Sequence, residues 1–267
     1  MKKIIKIIKG TPLLVLLFFT VSPSLTLDAA GTKQMYYEIR AYHVKSSAQA
    51  ERIDTYLRDA YLPALHKAGI TGAGVFKPVS SDTAFGKVIF VFIPYLNLKQ
   101  YEKVTSLVEK NKDYLKNGKE FLDAPFNDPP FTRYESILLK AFENMPSFAP
   151  PSYTNPAGER IYELRIYDSA TEIKAAKKRE MFNRGGEIDL FKSLGFNAMF
   201  FGEVLMGSRK PNLMYMITFQ DMATHDQKWA SFRDSEGWKK MSGLKEYENT
   251  VSRITSYLLS PTSYSDY

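Results

Sequence analysis

Cysteine is absent from the 267-residue chain. This excludes disulfides, thiolate metal sites, a cysteine nucleophile and a lipid anchor on an N-terminal cysteine. Histidine is scarce, with only His43, His66 and His225. No His-Glu-x-x-His, no His-x-His and no acidic cluster at metal-ligand spacing accompanies them, so no metal is expected. The phosphate-cradling glycine loops are missing as well; Gly72 and Gly74 are only a close pair of the kind found at bulges and tight turns. There is no Gly-x-Ser-x-Gly elbow. No dense basic run is interleaved with aromatics, so nucleic acid is not an expected partner. No nucleotide or flavin is indicated; His66 or His225 as a lone axial haem ligand is the minor alternative to a surface or helix-packing histidine, and no cofactor is expected.

What is present begins with a targeting pattern. Lys2, Lys3, Lys6 and Lys9 precede an unbroken apolar run from Leu13 to Phe19, and Ser22, Ser24, Ala29 and Ala30 follow. A positive region, a short apolar core and small residues at the exit read as a secretory signal over residues 1–30, hence a secreted or periplasmic protein. The apolar core is too short for a comfortable span, so no stable membrane segment is expected once it is removed. The formal charge is +7 for the full chain. Four of the 36 Lys and Arg and one of the 29 Asp and Glu lie in residues 1–30, which leaves 32 against 28, a net +4.

The remainder is organised by a repeat. Tyr37-Glu38-Ile39-Arg40-Ala41-Tyr42 returns as Tyr162-Glu163-Leu164-Arg165-Ile166-Tyr167. Both alternate as a strand does, so Glu38, Arg40 and Tyr42 share one face and Glu163, Arg165 and Tyr167 the equivalent one. The opposite, apolar face suits packing under helices. The polar rows are therefore expected to look into a space shared by the two halves. A Glu and an Arg two residues apart can pair, which reads either as a structural ion pair or as the polar lining of a ligand pocket.

Each copy opens the same order of elements. After the first strand, Ser46 or Ser47 caps a helix whose stripe runs through Ile53, Tyr56, Leu57, Ala60, Tyr61, Ala64 and Leu65. Pro63 marks a kink or a new first turn, and Gly69 stops the helix. Strands follow over 73–79 and 87–93, with Pro94 ending the second. Asn97 caps another helix, and a strand over 134–141 closes the half. Residues 144–159, with Pro146, Pro150, Pro151 and Pro156, read as a linker. The second half has a strand over 160–167, a helix over 171–194 interrupted at Gly185 and Gly186, strands over 197–206 and 213–219, helices over 222–232 and 236–243, and a strand over 250–259. The basic cluster Lys174, Lys177, Lys178 and Arg179 reads as a solvated helix face. The division is a first domain over 31–143 and a second over 160–267. The fold class is α+β: two ferredoxin-like β-α-β-β-α-β units in tandem, forming an intrachain dimeric α+β barrel.

Tyr-Glu-Leu-Arg-x-Tyr, the run Gly185-Gly-Glu-Ile-Asp-Leu-Phe-Lys-Ser-Leu-Gly-Phe196, the strand from Pro211 to Phe219 and Phe232-Arg-Asp-Ser-Glu-Gly-Trp238-Lys resemble the NIPSNAP family. The resemblance covers roughly 35–260 and is closer in the second half; the first half lacks the Phe…Trp-Lys signature. It implies a dimeric α+β barrel built of ferredoxin-like units and little about activity. Fold relatives include cofactor-free monooxygenases, haem-degrading enzymes and isomerases, an analogy that fixes no function.

Three functions are carried forward: binding of a small apolar or aromatic molecule in or beside the barrel, a cofactor-independent monooxygenase or isomerase, and an interaction module without a pocket. Association with a second copy stays open. In the enzyme reading Glu163 or Glu38 is the base, Arg165 or Arg40 holds an anion or polarises an oxygen, and Tyr167 or Tyr42 donates. Ligand-binding candidates are Tyr42, Tyr167, Arg40, Arg165, Phe201, Tyr215, His66 and His225. Met199, Phe200, Phe201, Met206, Met214, Tyr215, Met216, Trp229 and Trp238 are taken chiefly as core.

Overall fold

The computed structural model describes residues 33–267; the expected signal segment lies outside the described residues. In the first half, β1 (Tyr36–His43) leads to α1 (Ser47–Tyr56), a π-helical turn over Leu57–Tyr61 and α2 (Leu62–Lys67). Then come β2 (Gly74–Pro78), β3 (Val88–Tyr95), α3 (Leu98–Glu109), α4 (Lys112–Asn117), α5 (Lys119–Leu122) and β4 (Arg133–Ala141). The second half runs β5 (Ile161–Asp168), α6 (Glu172–Phe182), α7 (Glu187–Ser193), β6 (Asn197–Met206), β7 (Asn212–Phe219), α8 (Met222–Asp234), α9 (Glu236–Ser242) and β8 (Arg253–Pro261).

The local signals act as expected at the helix ends. The side chains of Ser46 and Asn97 accept from the backbone N–H groups of Gln49 and Gln100. Gly69 and Gly195 end the long helical stretches at φ of +90° and +69°, a left-handed turn that costs a residue with a Cβ. Pro63 sits in the first turn of α2, where its missing N–H is harmless, and the irregularity falls just before it in the π turn. Pro94 does not end its strand. It pairs with Tyr37 inside β3, which continues to Tyr95.

The eight strands form one closed, antiparallel barrel in the order β1-β3-β2-β8-β5-β7-β6-β4. Each half supplies four neighbouring strands, and the halves join at β2–β8 and β4–β6. Closure leaves no free edge. Mixed helices outside and a tandem ferredoxin-like pair of sheets are the architecture expected from the repeat.

The strand faces are reversed from expectation. The apolar rows Tyr37, Ile39, Ala41 and Tyr162, Leu164, Ile166 meet inside the barrel, packed with Phe76, Phe92, Leu139 and Phe200. The polar rows turn outward and are covered by each half's own helices, so Tyr42 packs with Tyr56 and Tyr61, and Tyr167 with Phe182 and Phe191. The cause is area: a barrel interior receives side chains from eight strands and has no room for charge without partners, whereas the helix layer brings donors. The interior is filled by side chains.

Two further readings are corrected. Lys178 is buried, because it falls in the stripe with Ala175 and Phe182 that faces the sheet. Met206 is exposed at the end of β6. The proline-rich segment after β4 is bonded along its length: Met35 N–H donates to the Pro146 carbonyl at 2.7 Å, Ala149 N–H to the Met199 carbonyl at 2.9 Å, and the Tyr153 hydroxyl to the Thr218 carbonyl at 2.7 Å.

Candidate functional site

The repeated Glu-x-Arg rows build the same constellation twice. Arg40 lies opposite Ser136 across β1–β4, and Arg165 opposite Ser256 across β5–β8. Each serine hydroxyl donates to the glutamate two residues before the arginine, Ser136 to Glu38 at 2.7 Å and Ser256 to Glu163 at 2.6 Å. Arg40 grips Glu38 through Nε at 2.8 Å and Nη2 at 3.2 Å. Arg165 donates from Nη1 to Glu163 at 2.5 Å and from Nε and Nη2 to the Tyr167 hydroxyl at 3.3 and 3.2 Å. Each guanidinium stacks on an aromatic ring supplied by a helix, Arg40 on Tyr61 at 4.5 Å and Arg165 on Trp229 at 4.6 Å.

What lies over the two constellations differs. In the first half Tyr95 donates to Glu38 at 3.1 Å, and Tyr56 stacks on Phe121 with ring centroids 3.9 Å apart while its hydroxyl meets that of Tyr114 at 3.0 Å. Glu38 and Tyr42 are sealed beneath these rings. In the second half a cavity of about 510 Å³ opens over the row. Glu163, Arg165 and Tyr167 line it together with Glu187 and His225, under aromatic walls from Phe191, Trp229, Phe232 and Trp238. That volume is within the range of small-molecule sites.

Two sequence positions explain the asymmetry. Counted back eight residues from the glycine that ends each long helical stretch, Tyr61 and Glu187 hold equivalent places. The phenol in the first half covers its arginine, and the smaller carboxylate in the second leaves room. Across the strands, Tyr42 pairs with Tyr134 and Tyr167 with Ile254, which exchanges a second ring for an aliphatic side chain at the cavity mouth.

The electrostatics push the two cavity carboxyls in opposite directions. Burial works against the charge on Glu163, but contacts from His225, Arg165 and Ser256 outweigh it and bring its pKa down to about 2. Its second oxygen also accepts from Trp229 Nε1 at 2.6 Å. Glu163 is thus a saturated carboxylate and a poor base, contrary to the role expected of it. Glu187 is pushed upward by burial, which its partner Lys178 at 2.7 Å only partly offsets. Lys178 in turn rests on the rings of Phe182, Tyr167 and Trp238 at 4.7 to 5.6 Å. His225 places Nε2 3.3 Å from Glu163 without hydrogen-bond geometry and Nδ1 2.8 Å from Asp226; burial lowers its pKa, and the two carboxylates raise it further than burial lowers it.

Of the expected ligand contacts, Arg165, Tyr167 and His225 line this cavity. Tyr215 stands behind it, its hydroxyl 2.7 Å from that of Tyr167, and Phe201 stacks on Tyr215 within the core. Glu38, Arg40 and Tyr42 belong to the sealed twin. His66 is on the outside of α2, held 3.0 Å from Asp266. Sequence reasoning missed Ser136, Ser256, Lys178 and Glu187 and took Trp229 only as core. The apolar spacing of Ala175, Lys178 and Phe182 was the one signal that could have found Lys178.

Residues 162–266 match the family model described as NIPSNAP. Over this stretch the second half of the chain is similar to the NIPSNAP family. The cavity lies entirely within this stretch. Solved structures share the architecture of the whole barrel. A monooxygenase-like protein from Lactobacillus acidophilus is 10% identical with a TM-score of 0.53, over 85% of this chain and 94% of that one. An anthrone oxidase-like protein is 14% identical with a TM-score of 0.53, over 86% and 92%. A monooxygenase-like protein from Fusobacterium nucleatum is 10% identical with a TM-score of 0.52, over 85% and 92%. At such identities the likeness is one of fold. No curated protein sequence matches the chain. Among the described residues, no helix is long and apolar enough to cross a membrane.

Proposed function

We propose that the protein is an exported binding protein whose NIPSNAP-like domain holds a small, flat aromatic molecule between β5 and helices α7 to α9. One observation carries this reading: the same strand constellation is built twice, packed shut under tyrosines in one half and left beneath an aromatic-walled cavity of about 510 Å³ in the other. Structural ion pairs alone would need no such space. The filled barrel removes the interior as a ligand site, and the cavity beside it takes that part instead of leaving an interaction module without a pocket. Export rests on the lysine-rich start, short apolar run and small residues of 1–30.

A second reading, chemistry on the bound molecule without a cofactor, is favoured by Glu187, a cavity carboxyl whose proton affinity is raised by burial. Three structural relatives with oxygenase or oxidase names agree with it.

Both tryptophans of the chain line the cavity, so selectively excited tryptophan fluorescence reports on it. Native mass spectrometry of the purified protein should retain a small molecule, and its removal should change tryptophan emission. Lys178→Met/Glu187→Tyr, which installs the residue of the sealed half and removes the buried lysine that would otherwise lose its partner, should abolish retention while the protein stays folded. Retention unchanged in that variant would reject the site. Cell fractionation and the N-terminal sequence of the mature protein test export.

A further inference from the structure

Building on the binding reading above, we infer that Glu187 accepts a hydrogen bond from the ligand, so that the molecule held is an uncharged aromatic carrying an O–H or N–H at its buried end. The inference comes from asking which polar group of the cavity is still free. A carboxylate offers two oxygens and about four acceptor sites. Both oxygens of Glu163 are engaged, one by Arg165 and Ser256 and the other by Trp229. The Tyr167 oxygen takes two N–H groups from Arg165, which leaves its proton for Tyr215. His225 is directed at Glu163 and Asp226. Glu187 is the exception. Lys178 engages Oε2 at 2.7 Å, and among the described residues no donor reaches Oε1, although the residue is only 2% exposed and lines the cavity.

Oε1 thus faces the cavity with acceptor capacity to spare, and a ligand donor that reaches it there gains a charge-assisted hydrogen bond. The charge pattern sets the rest of the class. Glu163 with Arg165 and Glu187 with Lys178 are balanced pairs, so the inner end carries no net charge for an ionic ligand to answer. The walls from Phe191, Trp229, Phe232 and Trp238 suit a ring system. The first half supports the assignment by contrast, since Tyr61 at the equivalent place is spent on covering Arg40.

The test compares 2-naphthol with 2-methoxynaphthalene, which has the same rings without the donor, by isothermal titration calorimetry on the full protein. Wild type should prefer 2-naphthol by about tenfold or more, the value of a charge-assisted hydrogen bond. The preference should fall below about threefold in Lys178→Met/Glu187→Leu, which removes both charges together and spares the fold an unpaired buried lysine. Glu187→Gln, which keeps an uncharged acceptor, should lie between. Equal affinity of wild type for the two probes, or a preference that survives in the double variant, would overturn the role of Glu187 and leave the cavity as a binding site. Binding of neither probe would overturn the binding reading and this inference together.

Discussion

Replacing Glu163 by glutamine is the sharpest test of the electrostatic account. The variant keeps the shape and removes the charge that receives Arg165, Ser256 and Trp229. Arg165 is then a buried guanidinium without a counterion, a loss of about 3–5 kcal/mol. For a domain of this size the melting temperature should drop by roughly 6–20 °C. The cost must also depend on pH. A carboxyl that ordinarily titrates near 4.5 and is held at about 2 in the fold contributes about 3 kcal/mol. Its folded pKa is depressed, so this contribution is complete above pH of about 4.5 and fades as the pH falls through about 2. The stability difference between wild type and Glu163→Gln should therefore shrink from neutral pH toward acid. His225 adds a second limb: its folded pKa is raised, so its contribution is present below the ordinary histidine range and is lost as the pH rises through the folded value. Urea unfolding from pH 3 to 9 measures both, and NMR titration should show His225 moving down in the variant. A cost under about 1 kcal/mol at pH 7, or a difference that is flat with pH, would refute the reasoning.

The barrel interior and the C-terminal tail give two more expectations. Among the described residues no partner reaches the hydroxyls of Tyr37 and Tyr162, which are buried inside the barrel, so Tyr37→Phe and Tyr162→Phe should be neutral or stabilising by up to about 1–3 kcal/mol each in urea melts; a clear destabilisation would refute this. Asp266 accepts from the backbone N–H groups of Gly72 at 3.0 Å and Ala73 at 2.7 Å and lies against His66, so Asp266→Ala should cost about 1–3 kcal/mol and speed amide exchange at Gly72 and Ala73; unchanged exchange would show that the tail does not hold this edge.

The repeat, the order of elements, the helix caps and the pairing of Glu with Arg were all legible along the chain, because each depends on residues a few positions apart. Period-two alternation assigned Glu38, Arg40 and Tyr42 to one face and their twins to another, and it was right about who shares a face. It could not say which face turns inward. Both faces of these strands are buried, so hydrophobicity alone does not separate the barrel side from the helix side. That choice falls to the tertiary structure, where the enclosed interior holds uncharged side chains and the helix layer supplies Trp229 and Tyr61 to cover the arginines. The same limit hid the site. Ser256 reaches Glu163 from 93 residues away and Trp229 from 66, separations at which no local pattern operates. Glu187 was visible only as one acid among many. Closing the barrel and laying α7 over β5 gave it a buried lysine, a free oxygen and a cavity to face.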